Sequence, residues 1–479
     1  MSDVHKMAAD LAGIVGEAHV KTGEDQVSQY SVDQSVPWGV VFPKDIQQVS
    51  DVVRYANEKG LAIVPWGSGS KMGQGNPPEK LDIVVSMARL SHMKDVDVSN
   101  LTITVEAGVK LLDIQARLAT EDDRCYLPLH DLSVESGEMI CSDRSHSGCF
   151  LPIDAPFGRR ATIGGIIACN SSGPRRLLYN LPRDLILGTR FVAPNGDIIG
   201  TGGKTVKNVS GYDISKLMIG STGTLGILCE MTLRVLPLPE RMETLIFSFG
   251  NFADASTLCS LIYETNLLPA AVEMMNERAF DSLSLGDLEG FKPGPYVVAV
   301  ALEAFSEAVE RMERETKEMA KQANRVGEVV VTGDRHSLFW LAVSEMLPSL
   351  SNKAEGLVSA RLNYPISCWK ELIQFAEASM AEKGLEGAFQ VHTGSGVSTV
   401  NILLNGDGSR EKAAGVLQGL LSRCREEGGN MVLLQAPAEV KRQVPVWGQP
   451  GSDLVLMKRI KKALDPKGVM SPGRFIDGM

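Results

Sequence analysis

The sequence has no long hydrophobic run and no excess of positive charge. None of its apolar stretches approaches the roughly 20 residues that a membrane-spanning helix needs. The 479 residues include 48 Lys and Arg against 58 Asp and Glu, and this net charge of −10 disfavours general nucleic-acid binding. The first residues, MSDVHKMAAD, lack the basic and apolar regions of a secretory signal. We therefore expect a cytoplasmic protein without a transmembrane segment, for which peripheral attachment to a membrane through a complex stays open.

Cysteines are few and isolated. The chain has 8 of them, and none forms a Cys-x-x-Cys pair or a ferredoxin-like run. In a cytosolic protein such residues are expected to be reduced thiols. The sequence therefore predicts no iron–sulfur centre within this chain.

The length suffices for two or three domains. Residues 1–240 combine glycine-rich segments with short strand-like stretches, and Pro237 indicates a domain edge at their end. Residues 241–440 alternate longer helical patterns with strands, which is typical of an α+β domain. The tail, residues 441–479, has the apolar spacing of one amphipathic helix.

Residues 38–66 have the pattern of a strand, a helix and a second strand. Asp45 followed by Gln48 predicts an N-cap with a capping box. Gly60 stands where this helix would end. The second strand, LAIVPW, leads directly into a glycine-rich loop.

That loop, VPWGSGSKMGQG at residues 64–75, is not a dinucleotide-binding Rossmann turn. The Rossmann pattern G-x-G-x-x-G opens a helix, but here the third glycine comes one residue late. Consecutive prolines at 77 and 78 then prevent a helix. The phosphate-loop pattern G-x-x-x-x-G-K-[ST] is absent as well. Two interpretations remain: a nest of backbone N–H groups from residues 67–70 around one anion, or a tight surface turn without a ligand.

Two further glycine-rich segments favour the ligand. One is GSTGTLGI at residues 220–227. The other is ATIGGIIACNSSGPRR at residues 161–176, which brings close together Thr162, Gly164, Gly165, Asn170 and Gly173. Because glycines let the backbone approach phosphates and flat rings closely, the three segments together indicate one large ligand with a pyrophosphate and ring systems.

Seven ordered motifs spread over most of the chain match one family. They are PWGSGS (65–70), ATIGG (161–165), SGPRR (172–176), RDLILG (183–188), GGKTVKNVSGYD (202–213), IGSTGTLGI (219–227) and DPKGVMSPGRF (465–475). On these residues the chain resembles FAD-binding oxidoreductases of the vanillyl-alcohol oxidase, or PCMH, type. Within that family it is most similar to the FAD-binding subunits of bacterial glycolate oxidase and D-lactate dehydrogenase.

The resemblance implies an α+β fold in three parts. A two-subdomain PCMH-type FAD-binding domain would span residues 1–240, with an insertion near 125–150. An α+β cap or substrate domain would span residues 241–440. The C-terminal segment, residues 441–479, would return and pack on the FAD-binding domain.

The resemblance also implies which residues hold FAD. The first motif would bind the pyrophosphate, and the later ones would follow the flavin and reach the adenine end. The implied residues are Pro65, Trp66, Gly67, Ser68, Gly69, Ser70, Thr162, Gly164, Gly165, Asn170, Gly173, Gly226 and Ile227. Some relatives attach FAD through a histidine near the first loop. Because no histidine lies between His19 and His92, we expect non-covalent FAD here.

The cap-domain motif departs from the family pattern. Relatives have an H-x-G-D-G-N-x-H-like motif whose histidines help to hold a divalent metal. The comparable stretch VHTGSGVSTVNI keeps His392 but has Ser395 in place of the acid and Thr399 in place of the second histidine. Since the required ligands are missing, we expect no metal at this site. His392 is then either a structural histidine or a catalytic base.

An extra loop is the second departure. The family passes almost directly from the helix near residue 118 to a phrase like LPIDAP, whereas here an extra loop intervenes within the stretch 125–154. The spacing of cysteines and histidines in this loop, at Cys125, His130, Cys141, His146 and Cys149, matches no common zinc site. A surface insertion or a partner-docking loop is therefore favoured.

Arginines near the predicted flavin could bind a substrate carboxylate, because a guanidinium pairs with a carboxylate through two hydrogen bonds. Arg361 in the cap domain is our candidate, while Arg175 and Arg176 share this option with ordinary ion pairing. Tyr212 joins His392 and Arg361 as a catalytic candidate, with a structural role as its alternative. Lys207 and Asn208 carry the same ambiguity.

The resemblance implies an FAD-dependent oxidoreductase, or a subunit of one, that oxidises a 2-hydroxy acid such as glycolate or D-lactate. The Cα hydride would pass to the flavin while a base removes the hydroxyl proton. An iron–sulfur subunit would accept the electrons, and a paralogous FAD subunit is a further candidate partner. The eroded histidine motif favours an alternative, a non-catalytic FAD-holding electron-transfer or assembly subunit. An FAD enzyme for an alcohol or a sugar is a third interpretation.

Overall fold

The computed structural model describes residues 2–119, 148–204 and 212–479. Over these residues the strands form four sheets. In chain order the strands are β1 Val20–Lys21, β2 Gly39–Val41, β3 Ile63–Trp66, β4 Ile83–Ser86, β5 Met93–Asp97, β6 Thr102–Glu106, β7 Cys149–Phe150, β8 Ile186–Val192, β9 Ile198–Gly202, β10 Ile227–Arg234, β11 Leu236–Pro237, β12 Arg241–Phe249, β13 Ala271–Asn276, β14 Tyr296–Ala304, β15 Gly327–Thr332, β16 Gly356–Asn363, β17 Glu386–His392, β18 Val397–Leu404 and β19 Asn430–Gln435.

Helices connect and cover these sheets. In chain order they are α1 Ser2–Val15, α2 Glu24–Val27, α3 Ile46–Lys59, α4 Leu111–Ala119, α5 Ile163–Ala168, α6 Arg176–Tyr179, α7 Pro182–Leu185, α8 Ser215–Met218, α9 Phe252–Tyr263, α10 Glu277–Ser282, α11 Ser306–Gln322, α12 Gly333–Ser344, α13 Met346–Ser351, α14 Trp369–Glu382, α15 Ser409–Glu426, α16 Ala438–Lys441 and α17 Leu454–Leu464. Within the described ranges, no helix is both long enough and apolar enough to span a bilayer.

The first sheet has the order β1-β2-β4-β3, and β4 runs parallel to both β2 and β3. Helix α3 connects β2 to β3, as the sequence predicts. Asp45 caps this helix by accepting the Gln48 backbone N–H at 2.8 Å, and Gly60 ends it in the left-handed conformation with φ 65°. The Gln48 side chain accepts the backbone N–H of Lys44. The predicted capping box would instead use the backbone N–H of Asp45, one residue later.

The second sheet, β5-β6-β10-β8-β9, is antiparallel throughout. A short pair, β11-β7, lies apart from it. The largest sheet, β15-β12-β14-β13-β17-β18-β16-β19, is also antiparallel and extends from residue 241 to residue 435. We call it the cap sheet.

The two faces of the cap sheet belong to different hydrophobic cores. On β14, Val298 and Val300 pack in the core that contains helices α9, α11, α14 and α15. The alternate residues Val297 and Ala299 pack in the core that contains the first two sheets. This alternation follows from the two-residue period of a strand. As a result, the second face of the cap sheet lies over the N-terminal part of the chain.

The C-terminal segment returns to the first sheet, as the family resemblance implies. Ile63 donates its N–H to the Val469 carbonyl at 2.7 Å and accepts from the Ser471 N–H at 2.8 Å. Lys461 donates to the carbonyl oxygens of Thr224 and Met470 and to a buried carboxylate of its own segment. The predicted α+β fold with a returning tail is therefore confirmed.

Candidate active site

A cavity of about 840 Å³ opens where the ends of β3, β6 and β10 meet α5. We call it the glycine-lined cavity, because all three glycine-rich segments border it. The sequence-predicted residues that line it are Pro65, Trp66, Gly67, Ser68, Gly69, Ser70, Thr162, Gly164, Gly165, Gly226 and Ile227. The fold thus brings together segments that lie up to 160 residues apart in the chain.

The first glycine-rich loop presents free backbone donors to this cavity. In the described part of the chain, the N–H groups of Ser68, Gly69 and Ser70 meet no hydrogen-bond acceptor. A Cβ at Gly67 would lie 2.2 Å from Oγ1 of Thr162, and Gly69 has φ 74°. Only glycine fits both requirements, close approach at one position and a left-handed backbone at the other. The loop therefore has the build of an anion nest.

Two cations add positive charge to the glycine-lined cavity. The Arg474 guanidinium donates to the carbonyl oxygens of Met72, Gln74 and Asn76, and so ties the C-terminal segment to the first loop. Lys71 donates to the Pro156 carbonyl at 3.0 Å, and burial lowers its pKa to about 8. Sequence reasoning did not assign either residue, although Arg474 lies in the last motif and Lys71 follows the first.

A second cavity of about 730 Å³ adjoins the first, since Gln74 and Cys169 line both. We call it the polar cavity. One wall is formed by residues of the segment from 154 to 176, a second by one face of the cap sheet, and a third by residues 343–347. The cap-sheet side chains follow from register: Gln390 pairs with Thr399, and Thr399 pairs with Arg361 on the next strand. His392, two residues beyond Gln390, lies on the same face.

His392 is paired with a buried carboxylate. Its Nδ1 lies 2.6 Å from Oε1 of Glu273, which is the residue directly opposite on β13. Glu273 is fully buried, and burial raises its pKa while His392 opposes the shift. With Nδ1 held, Nε2 is the histidine nitrogen left for the polar cavity. Sequence reasoning missed Glu273, because the pairing of β13 with β17 has no local signal.

Two arginines of the polar cavity lack a direct carboxylate partner among the described residues, although the charges of Asp154 and Glu273 favour the charged form of Arg176 and oppose the effect of burial on its pKa. Neither Arg361 nor Arg176 forms an ion pair, and Nε of Arg361 has no hydrogen-bond partner. Burial lowers the pKa of both side chains, and the charge of Arg176 lowers that of Arg361 further. Both guanidiniums therefore offer unused donors to a ligand.

Arg175 is committed elsewhere. Its guanidinium contacts the fully buried Glu303 at 2.7 Å, and Tyr179 donates to the same carboxylate at 2.7 Å. Although burial opposes it, the Arg175 and His336 side chains lower the pKa of Glu303 to about 2. This pair joins the N-terminal part of the chain to the cap sheet and leaves no guanidinium for a substrate.

Two residues predicted along the flavin lie outside the glycine-lined cavity. Gly173 lies in the wall of the polar cavity, where its N–H donates to the buried Asp154 at 3.0 Å. Asn170 has φ 45°, and its Oδ1 is buried without a partner in the described chain. Tyr212 lies at the surface with 92% of its area exposed and lines neither cavity, so we do not retain it as a catalytic candidate.

The altered histidine motif lies on both sides of a turn. Thr399 faces the polar cavity beside Arg361, and Ser395 lies in the turn between β17 and β18. No group of three His, Cys, Asp or Glu side chains suited to a metal occurs in the part of the chain that the structure describes. Several other sequence candidates lie outside the described residues, namely Cys125, His130, Cys141, His146, Lys207 and Asn208.

Two protein families match this chain. A family of FAD binding domains matches residues 37–137 and 143–202. The C-terminal domain family of FAD linked oxidases matches residues 238–433 and 441–475. Together they account for most of the sequence.

Individual proteins extend the similarity over nearly the whole chain. Glycolate oxidase subunit GlcD of Bacillus subtilis is 26% identical over 458 residues, which cover 94% of this chain and 91% of that protein. The D-lactate dehydrogenase of Archaeoglobus fulgidus is 28% identical over 451 residues, 91% of each. The structure of p-cresol methylhydroxylase shares the fold, with a TM-score of 0.75 at 16% identity over 99% of this chain and 97% of that one.

The glycine-lined cavity fits FAD. Its free backbone N–H groups at Ser68–Ser70 suit a pyrophosphate, and Lys71 and Arg474 supply complementary charge. Apolar side chains such as Val64 and Met87 line the remainder, as ring systems require. The chain therefore belongs to the PCMH-type FAD-dependent oxidoreductases and is of the glycolate oxidase and D-lactate dehydrogenase type.

Proposed function

We propose that this chain oxidises a small 2-hydroxy acid, with glycolate and D-lactate as the first candidates, and passes the electrons to a separate iron–sulfur protein. The observation that carries the proposal is the buried Glu273–His392 pair, which shares one cavity with the unpaired guanidinium of Arg361. A base and a carboxylate-binding cation are the two groups that oxidation of a 2-hydroxy acid needs from the protein.

Arg361 binds the substrate carboxylate through two hydrogen bonds and so orients the neighbouring hydroxyl group. His392 accepts the hydroxyl proton at Nε2. Glu273 holds the imidazole with its proton on Nδ1 and stabilises the positive charge that forms on the ring. The wall residues Gln390 and Thr399 offer further hydrogen bonds.

When bound, FAD supplies the hydride acceptor for the Cα–H bond. Residues 67–70, with Thr162 and Gly165, hold the cofactor in the glycine-lined cavity. Cys169 and Gln74 line both that cavity and the polar cavity, so a bound cofactor and a bound substrate would adjoin there. We further propose that FAD is held without a covalent bond, so that denaturation with acid releases it into the supernatant.

The cysteines bear on where the electrons of the reduced flavin go. No group of three metal-ligating side chains occurs among the described residues, which include Cys149, Cys169, Cys229, Cys259, Cys368 and Cys424. We propose that the electrons leave the flavin for a separate iron–sulfur subunit. The name of the Bacillus subtilis relative, a glycolate oxidase subunit, supports a multi-subunit assembly.

A second candidate function is a non-catalytic FAD-holding subunit beside a catalytic paralogue. The loss of the acid and the second histidine, at Ser395 and Thr399, favours it. Retention of the Glu273–His392 pair favours catalysis.

Anaerobic mixing of the purified holoprotein with glycolate or D-lactate distinguishes the two. We expect the visible absorption of the flavin to bleach within a single turnover. If the flavin stays oxidised with all 2-hydroxy acids until a sister subunit is added, the catalytic proposal fails. If only alcohols or sugars bleach it, the substrate class is wrong. A colourless chain that takes up no FAD would contradict the assignment of the glycine-lined cavity.

A further inference from the structure

We infer that the Lys71 ammonium is the counterion for the negative charge that reduction places on the flavin, and that it thereby raises the reduction potential of the cofactor. The inference rests on the proposed function only for the orientation of the cofactor, in which the ring end that accepts the hydride faces the polar cavity. It goes beyond that function because it names the group that controls how readily the flavin is reduced.

Lys71 lies at the boundary between the two cavities. It lines the glycine-lined cavity, and its Nζ donates to the Pro156 carbonyl at 3.0 Å. Pro156 in turn lines the polar cavity. Cys169, which lines both cavities, is close enough for its charge state and that of Lys71 to influence each other. The ammonium therefore lies where a bound cofactor and a bound substrate would adjoin.

The ammonium lacks a direct carboxylate partner in the described part of the chain. The charge of Glu345 favours its protonated form, but this carboxylate does not reach ion-pair distance, and its Oε1 accepts the backbone N–H of Arg159 at 3.0 Å. The guanidinium of Arg160 acts in the opposite sense. Burial raises the pKa of the Cys169 thiol, so this neighbour carries no negative charge near neutral pH.

Desolvation dominates the environment of Lys71 and lowers its pKa to about 8. Besides the Pro156 carbonyl, the ammonium contacts the ring of Phe157, whose centroid lies 5.5 Å from Nζ. An ammonium has three N–H donors, and the described residues engage one of them with an oxygen. A desolvated cation in this state is stabilised by an anion placed beside it, because the surrounding protein screens the interaction weakly.

The pyrophosphate has other donors. The free backbone N–H groups of Ser68–Ser70 already form a nest for it. Arg474 directs its guanidinium to three carbonyl oxygens of the same stretch of chain, residues 72–76. Lys71 instead directs its Nζ to the segment that forms a wall of the polar cavity. The two cations of the glycine-lined cavity therefore differ in what they are placed to meet.

The charge that Lys71 meets arises on reduction. Transfer of the Cα hydride brings two electrons and one proton to the flavin ring, so the ring gains one negative charge unless it takes up a second proton. A fixed cation beside the ring favours that product over the oxidised ring, because the cation is in place before the reaction and no water has to reorganise. Lys71 should therefore make the flavin easier to reduce.

The test measures the flavin without any 2-hydroxy acid. Equilibration of the holoprotein with a reference dye gives the two-electron reduction potential. Titration with sulfite, read from bleaching of the flavin, gives a second measure, because sulfite adds to the oxidised ring and leaves it negatively charged.

Removal of the Lys71 charge should lower both quantities. Lys71→Gln keeps a donor for the Pro156 carbonyl. We expect it to decrease the equilibrium constant for reduction about 10- to 100-fold, the range of a charge-assisted hydrogen bond. For a two-electron couple this is a potential ~30–60 mV more negative. The affinity for sulfite should fall by a similar factor.

Three further variants frame this result. Lys71→Met is a second uncharged substitution, and Lys71→Arg keeps the positive charge and should restore most of the potential. Lys412→Gln, which removes an exposed lysine of α15 outside both cavities, is the matched control and should change neither quantity. Equilibrium dialysis gives the FAD affinity of each variant.

The parent potential and sulfite affinity in both uncharged variants would overturn the inference. Loss of FAD from both, or weaker FAD affinity at the parent potential, would assign Lys71 to the pyrophosphate and overturn it as well. The proposed function is tested separately. If no 2-hydroxy acid bleaches the parent flavin, that function falls, and the potentials of the Lys71 variants alone then decide the inference.

Discussion

Nδ1 of His392 lies 2.6 Å from Oε1 of Glu273, and both side chains are buried where β13 pairs with β17. The hydrogen bond decides which imidazole nitrogen is available. With Nδ1 engaged by the carboxylate, Nε2 is left for the polar cavity. The arrangement is that of a base and its positioning carboxylate, even though Thr399 and Ser395 have replaced other residues of the motif.

Replacing the base gives the most direct prediction. We expect His392→Gln to lower the rate of flavin reduction by a 2-hydroxy acid about 10²- to 10⁴-fold, because a general base contributes a factor of this order. Glu273→Gln should lower it less, since the imidazole remains. Stopped-flow absorbance gives both rates, and the flavin spectrum reports FAD content as a control. A His392→Gln variant with the parent rate would make this histidine structural.

Gly67 in the first glycine-rich loop should tolerate no side chain. Gly67→Ala places a Cβ 2.2 Å from Oγ1 of Thr162, so the loop must move away from the cavity. Overpacking of this kind costs about 1–3 kcal/mol, and we expect FAD affinity to fall about tenfold or more. Gly13→Ala is the matched control, because an added Cβ in that exposed turn of α1 meets no atom within 4 Å. Equilibrium dialysis against FAD gives both affinities, and equal affinities would place the pyrophosphate elsewhere.

Replacing only one partner of the buried ion pair between Arg175 and Glu303 should strongly lower the free energy of unfolding. Arg175→Met leaves a buried carboxylate uncompensated, and we expect a loss of about 3–5 kcal/mol in the free energy of unfolding. The double substitution of Arg175 and Glu303 by methionine should cost less. Arg423→Met, which breaks only exposed ion pairs, should cost under about 1 kcal/mol. The shift of the urea midpoint measures all three, and additive losses would show that the two residues do not interact.

The same pair predicts a dependence on acidity. Because the folded-state pKa of Glu303 is lowered from 4.5 to about 2, its contribution to stability is complete above about pH 4.5 and is lost as the pH falls towards 2. We expect the melting temperature of the parent protein to fall more steeply between about pH 5 and pH 3 than that of Glu303→Gln. Parallel curves for the two proteins would contradict the low pKa.

Metal removal should have little effect. Thr399 lies beside Arg361 in the polar cavity and supplies no imidazole for a cation. We therefore expect excess EDTA to change the rate of flavin reduction by less than about twofold. Dialysis with EDTA followed by rapid mixing measures this. A large loss that added Zn²⁺ or Mn²⁺ restores would place a metal at the site.

Features encoded over a few residues could be read from the sequence. The cap at Asp45, the end of α3 at Gly60 and the glycine requirement at Gly67 and Gly69 are properties of local backbone geometry. The motifs indicated the FAD-binding family for the same reason. Eleven of the thirteen predicted cofactor residues line one cavity. They belong to short segments, and neighbouring residues of one short segment lie close together in the fold.

Contacts between distant strands could not be read in this way. Glu273 and His392 are 119 residues apart, and only the register of β13 against β17 brings them together. The sequence made Arg175 and Arg176 equivalent candidates, but the fold buries one against Glu303 and leaves the other facing a cavity. Tyr212, carried by a family motif, lies at the surface instead.

The sequence by itself determined the cofactor class, through glycines whose backbone freedom is a local property, and it determined the alternation that divides the cap sheet between two cores. Tertiary structure alone decided which charges are paired. A side chain's charge is known from its identity, but the free energy of that charge depends on neighbours and burial, and these are set by segments more than 100 residues apart in the chain. In this protein that distinction separates Arg175, which is buried against Glu303, from Arg176 and Arg361, which line the polar cavity and form no ion pair among the described residues.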